Sequence, residues 1–459
     1  MKKLILILTA SLAVGFSLNA QAALQIQTWT LANGARVLFV ENHSIPIVDL
    51  NVDFDAGARR DPAGKAGLAQ LTNAMLARGL REGRFSDSGK ERGAQAEMTL
   101  EPALSEAQIS DAFADTAAER GGGADAERAN ASLRSLSSLP ERATAVKLLG
   151  RILAQPTFPS ELLERDKART IAGIKEDLTK PEAIAGKAFW HLLYGSHPYG
   201  SEATVESVTA ITRDDLAVFH RTHYVANRAV ISIIGDVTRA DAEQIAQELT
   251  LRLPQGGPLP PMPPVPDAHA QQQRIAHPAS QAHILIGMPA EVRGDPDYFA
   301  LMVGNYVLGG GGFVSRLTNE VREKRGLTYG VYSGFSPMAQ KGPFQIGLQT
   351  KKENAEQALR LVNQVVAAFL RDGPTADQLQ AAKANLIGSF PLRIDNNRKI
   401  LANIALIGFY NLPLDYLDTW IEHVAKVSIA DVRAAFARKV VQKELSTVVV
   451  GAEPEGTGK

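Results

Sequence analysis

The sequence predicts an α+β fold built twice, two homologous domains in one chain, each with helices packed on one face of a sheet. Three observations predict it. A segment dominated by Pro, Gly and Gln, LPQGGPLPPMPPVPDAHAQQQ at residues 253–273, divides the chain into halves of comparable size. Such a segment propagates neither a helix nor a central strand and acts as an extended, semi-rigid spacer. Strand-like runs alternate with helical patterns in both halves, and the two halves repeat one order of elements.

In the first half the strands 36–40 and 48–54 come first. A helix at 145–154, a break at 156–158, a charged helix, a helical stretch over 201–223 and a strand at 229–234 closed by Gly235-Asp236 follow. In the second half the strands are 283–287 and 343–350. They are followed by a helix at 355–370, a break at 372–374, helices at 376–389 and 428–440, and a strand at 445–450 closed by Gly451. Recurrence of helix, break, helix, helix, strand marks a duplication, and a period of about two hundred residues is far too long for a solenoid.

Residues 1–22 have the three-part design of a secretory signal peptide: Lys2-Lys3, an apolar stretch, then Ala20-Gln21-Ala22. Cleavage after Ala22 or Ala23 and export to a periplasm are expected. The domains are then 23–252 and 274–459. No later run approaches the roughly eighteen apolar residues of a membrane span. Lys plus Arg and Asp plus Glu both count 49 in 459 residues, a balance that argues against a nucleic-acid partner. There is no cysteine, which excludes thiolate metal sites, iron–sulfur clusters and cysteine nucleophiles, and leaves stability to packed cores.

Residues 67–76 read GLAQLTNAML, an apolar helix with Leu68, Leu71, Met75 and Leu76 on one side. Alone it is a core helix. It stands, however, in line with NGARVLFVEN at 33–42, a strand ending GARRDP at 57–62, AVKLLGRILAQPTFPSELLERDKARTIAGIKE at 145–176, and GGGGFVSRLTNEVREKRGLTY at 309–329. Together these resemble the pitrilysin/insulinase-type (inverzincin) zinc metallopeptidases, whose zinc helix reads G-L-A-H-x-x-E-H-M-L. There two His bind zinc and the Glu polarises the attacking water. The resemblance puts those positions on Gln70, Asn73 and Ala74, and the family's third ligand, a Glu, on Gly173, with Glu176 nearby on the same helix. An amide oxygen is a poor zinc ligand beside imidazole, a methyl ligates nothing, and Asn cannot accept a proton from water. No metal is expected in this chain.

Residues 81–108, polar and of mixed charge, run roughly twenty residues longer than the resemblance anticipates and are expected to be a surface insertion. Residues 121–124 align with a family G-G-x-x-x-A turn.

The resemblance implies that Arg322 and Tyr329, seven residues apart, are the pair that holds peptide and assists the transition state. A guanidinium offers fixed charged donors to a carbonyl or carboxylate, and a phenol can bond a developing oxyanion. Glu323, Lys324 and Arg325 read as a solvated helix face. Gly309, Gly310, Gly311 and Gly312 lack the G-K-[ST] of a phosphate loop and suggest close backbone approach to a peptide or a partner. His220-x-x-His223 on a helix, and His191 and His197 in a loop, are isolated pairs and weak metal signals.

In relatives of this kind one subunit carries H-x-x-E-H and a second, degenerate one supplies the Arg–Tyr pair. The expectation is a non-catalytic, substrate-binding subunit of a periplasmic heterodimeric zinc metallopeptidase. Its zinc would lie in the H-x-x-E-H partner, and its substrates would be short or unfolded peptides. A scaffold or peptide-binding protein without a part in proteolysis is the alternative, and an independent peptidase using other residues a third reading.

Overall fold

The computed structural model describes residues 24–86 and 98–451, without the side chains of 84–86 and 98–99; the expected signal peptide lies outside these residues. The first half runs β1 (Gln27–Thr30), β2 (Arg36–Glu41), β3 (Ile47–Phe54), α1 (Leu68–Met75), β4 (Gly79–Leu80), β5 (Gly83–Ser86), β6 (Met98–Glu101), β7 (Leu104–Ser105), α2 (Glu106–Asp115), β8 (Glu119–Ala124) and β9 (Ala129–Leu136). It continues through α3 (Leu139–Ala154), α4 (Ser160–Asp177), α5 (Pro181–Tyr194), α6 (Val205–Ala210), α7 (Arg213–His223), β10 (Val230–Gly235) and α8 (Arg239–Thr250). The second half runs β11 (Gln272–Ile275), β12 (Gln281–Glu291), α9 (Tyr298–Asn305), β13 (Thr328–Phe335), β14 (Gly342–Lys351), α10 (Ala355–Asp372), α11 (Ala376–Ser389), α12 (Asn397–Phe409), α13 (Trp420–Lys426), α14 (Ile429–Lys439) and β15 (Ser446–Val450).

The two sheets share one topology, apart from β1, an edge strand of the first with no counterpart in the second. The first is ordered β1-β2-β10-β3-β9-β8 and the second β11-β15-β12-β14-β13. In each, the last strand of the half runs parallel to an outer strand and antiparallel to the long central one. The duplication extends to single residues. Gly235 and Gly451 each end such a strand at positive φ, and a Cβ on either would stand 2.2 Å from Ile47 O or 2.6 Å from Gln281 O of the neighbouring strand. Helices α7 and α14 open on the same reciprocal cap, Thr212 with Asp215 and Ser428 with Asp431. That cap explains why the predicted helical stretch over 201–223 is two helices: α6 stops before Ile211 and Thr212 restarts the chain.

Each sheet packs its own half's helices on one face. Val37, Phe39, Ile231 and Ile233 of the first sheet join the core formed with α1, α3, α7 and α8, and Ile284, Ile286 and Val449 of the second join α9, α10 and α14. The opposite face of each sheet is covered by one helix from the other half. Ile400, Leu401 and Ile404 of α12 pack with Val40 and Ile234 of the first sheet. Ala185, Phe189 and Leu193 of α5 pack with Val448 and Val450 of the second. Gly408 is needed for this contact, because a Cβ there would lie 2.8 Å from both Leu38 and Val230.

The strap between the sheets has no regular structure over residues 254–271 and is tied down along its length. Ala226 N donates to Pro254 O, Arg60 to Pro260 O, and His197 and Gln340 reach Pro263 O from opposite halves. The stem of the insertion is docked as well. β4 pairs with β7 and β5 with β6, and Glu101, 2% exposed, accepts from Arg252 at 2.7 Å with Arg151 beside it. Residues 87–97, the middle of that insertion, lie outside the described residues. Among the described residues no helix is long and apolar enough to cross a membrane.

Candidate functional site

Helix α1 is fixed at its start by Asp61, whose carboxylate accepts from the backbone N–H groups of Gly67 and Ala69, both at 2.8 Å. Burial pushes this carboxyl up to about 6 against those bonds. Gly67 turns at φ +100°, and α1 then packs against α4, α7 and β8. Gln70 and Ala74, four residues apart on one face, are exposed. Asn73 points inward: its amide donates to Asn130 O at 3.0 Å and to the Tyr224 hydroxyl at 3.3 Å. Gly173, on α4, faces open space where a side chain would stand.

The four positions thus present a solvent-facing amide, an amide already committed to β9 and Tyr224, a methyl and no side chain. That donor set does not fit zinc, and among the described residues no group of three or more His, Asp or Glu is placed to hold a metal ion. Asn73 heads an amide ladder that the sequence did not disclose. Asn130 donates to Asn51 at 2.8 Å, Asn51 to Asp53 at 2.6 Å, and Arg128 reaches Asp53 at 3.2 Å. Strand pairing of Asp53 with Asn130 puts these side chains together, and burial pushes Asp53 up to about 7. Alternating polar residues on β3 were the available signal.

Three of these four histidines are held by backbone hydrogen bonds. His220 Nε2 bonds Leu153 O at 2.7 Å and its ring stacks on Tyr224; His223 Nδ1 bonds Asp55 O at 3.0 Å. Burial lowers both to about 4. His197 accepts from Tyr199 N and bonds the strap at Pro263 O, while His191 is exposed on α5.

In the second half, α9 runs into a wide π turn at Tyr306–Gly310, and a second π turn, Thr318–Glu323, carries Arg322. The latter packs against β13, which carries Tyr329. Arg322 is part-exposed, stacked over the Phe313 ring at 4.7 Å, with Glu323 at 3.4 Å. Tyr329 is 87% exposed. It sits in a bulge, because the β13–β14 register slips between Thr328 and Val331. The Thr328 hydroxyl pins this bulge, donating toward Gln349 O at 2.5 Å and contacting Gly330 N at 3.0 Å and Gly330 O at 2.8 Å. Bulges re-aim side chains in this manner. Thr328 therefore fixes the bulge that displays Tyr329, and nothing in its local sequence signalled this contact.

The four glycines divide. A Cβ on Gly309 would lie 2.4 Å from Ser333 Oγ, one on Gly310 2.7 Å from Asn305 Nδ2, and one on Gly311 2.6 Å from Tyr306 O. Their close approach is to the chain itself. Gly312, at φ +60°, faces open space and leads into the exposed Phe313 and Val314. Residues 121–124, aligned with a turn, form instead the last four of the six residues of β8, an edge strand bordering α1.

Residues 210–386 match the peptidase M16 inactive domain family. The chain is similar to the crystal structure of a peptidase M16 inactive domain from Pseudomonas fluorescens, at 38% identity and TM-score 0.85, covering 94% of this chain and 98% of that one. It is 27% identical over 441 residues to a non-peptidase homolog, YmxG, of Helicobacter pylori, covering 94% of both proteins. It is also 30% identical over 275 residues to an uncharacterized zinc protease of Streptomyces coelicolor, covering 57% of this chain and only 59% of that protein.

Proposed function

The chain belongs to the M16 peptidase family as an inactive homologue, and we propose that it is the non-catalytic, substrate-binding subunit of a heterodimeric periplasmic zinc metallopeptidase. In this reading the partner is an H-x-x-E-H subunit of similar length that brings the zinc, and the substrates are short or unfolded peptides. Arg322 and Tyr329 of this chain complete the partner's site.

One observation carries the reading. The ligand positions Gln70, Asn73, Ala74 and Gly173 have no metal chemistry left, yet Tyr329 is held outward on a pinned bulge of β13, and the π turn packed on that strand carries a part-exposed Arg322. A phenol displayed to solvent contributes little to the fold, since its burial is small. Its use is to something outside the chain. The guanidinium supplies fixed donors to a peptide carbonyl, and the phenol supplies one to the oxyanion that forms on attack by a partner's water. Both groups serve without a metal of their own.

The test is co-purification with an H-x-x-E-H subunit encoded beside this chain, followed by Arg322→Ala. Peptide hydrolysis by the pair is expected to fall by roughly 10- to 1,000-fold, the scale of losing one transition-state donor. Undiminished hydrolysis in that variant would reject the composite site. It would favour the reading of a peptide-binding scaffold with no part in proteolysis.

A further inference from the structure

A cleft of about 590 Å³ is lined by α5 of the first half and by β12, β13 and β14 of the second. Trp190 and Tyr332 supply its aromatic surface, and Tyr329 stands at its border. Both aromatic rings are fixed before anything binds. Trp190 is stacked on Tyr194 at 5.2 Å, nearly parallel. Tyr332 rests against Gly347, where a Cβ would come within 2.5 Å of its ring, and its hydroxyl accepts from Gln345 at 3.1 Å. The other side of the Tyr332 ring is left to solvent, since the residue is 52% exposed. Among the lining residues Glu182 is the one carboxylate, with His283 Nε2 3.9 Å from it, and neither Lys nor Arg contributes.

We propose that this cleft is a specificity pocket for one aromatic or large aliphatic side chain of a bound peptide, seated against Trp190 and Tyr332, with Glu182 disfavouring an acidic residue there. The proposal rests on the reading that the chain binds peptide. It adds which side chain the chain selects. Pre-fixed rings bury apolar area without ordering costs of their own, which is why rigid aromatics dominate such contacts. The adjoining Gln345 amide can meet the peptide backbone. Continuity with Tyr329 places the selected residue on the same peptide that the Arg–Tyr pair would hold.

The test uses the intact chain and fluorescein-labelled Gly/Ser peptides that differ only in a central Phe, Ala or Glu, read by anisotropy. The Phe peptide is expected to bind about tenfold or more tighter than the Ala peptide, and the Glu peptide more weakly than either. Trp190→Ala should bring the Phe peptide to the Ala value. Should that variant fold poorly, Gly186→Leu serves instead. Gly186 lines the cleft in mid-helix with nothing within 4 Å of a Cβ, so Leu occupies cleft space and has better helix propensity. Equal binding of Phe and Ala peptides by the native chain, or a Phe preference that survives Gly186→Leu, would overturn the proposal. If Arg322→Ala still cripples hydrolysis by the pair while all three peptides bind alike, the pocket is rejected and the subunit reading stands. If Gly186→Leu abolishes the Phe preference while Arg322→Ala hydrolyses normally, the pocket stands without it.

Discussion

Glu291 lies 1% exposed at the end of β12, and its Oε1 has no hydrogen-bond partner among the described residues. Burial, reinforced by the charge of Asp295, pushes its carboxyl up to about 8. The folded state therefore holds a proton that the unfolded chain releases near the ordinary carboxylate value. The stability this gives is complete at low pH and is lost as pH rises toward 8. His220 and His223 act in the opposite direction. Lowered to about 4, they stay neutral in the fold while the unfolded chain charges below about 6.5, so their contribution is lost as pH falls through that window. Glu291→Gln is expected to flatten the alkaline limb and to gain roughly 1 to 3 kcal/mol at pH 8 in urea unfolding, with a much smaller gain at pH 5. Equal gains at both pH values would show that the carboxyl is not the titrating group. Sequence separated these cases unevenly. His220-x-x-His223 reads as a weak metal signal, and its true partners are backbone carbonyls that no side-chain motif announces.

The two π turns flank Gly311–Leu317, and the second carries Arg322. Gly309 lets the first of them lie against β13, and Asn305 joins the same contact by donating to Ser333 O at 3.0 Å and accepting from its hydroxyl at 2.6 Å. Gly309→Ala would drive a methyl into Ser333 and is expected to cost roughly 1 to 3 kcal/mol, measured by urea unfolding. A loss below about 0.5 kcal/mol would mean that the turn relaxes freely. At this scale much was legible. The strands β2, β3, β12, β14 and β15 and the helices α3, α10, α11 and α14 follow from apolar periodicity, Pro breaks and caps. The wide turns did not, because π and α winding place nearly the same apolar residues inward. β8 was hidden for another reason: a Gly-rich strand has no alternating side chains, and pairing with β9 alone defines it.

Across the whole molecule the two halves meet on Glu127. Only 2% exposed, it accepts from Arg59 and the Tyr199 hydroxyl, both at 2.5 Å, in the first half. From the second half it accepts from the Tyr410 hydroxyl at 2.6 Å and Ala339 N at 3.0 Å. The partners are 72, 283 and 212 residues distant for the two tyrosines and Ala339, so no local pattern could reveal the clamp. Glu127→Ala leaves Arg59 and two phenols facing an empty site. It is expected to cost roughly 3 to 5 kcal/mol in global stability, and a loss under about 1 kcal/mol would remove the clamp from the account.

The exchange of α5 and α12 speaks to ancestry. Two copies of a half-length chain, each handing its equivalent helix to the other, would make this object as a swapped dimer with a true twofold axis. Fusing the copies through the strap turns that dimer into a monomer and frees each half to diverge. Only then could the α1 segment of one copy and the Arg322-to-Tyr329 segment of the other follow separate fates.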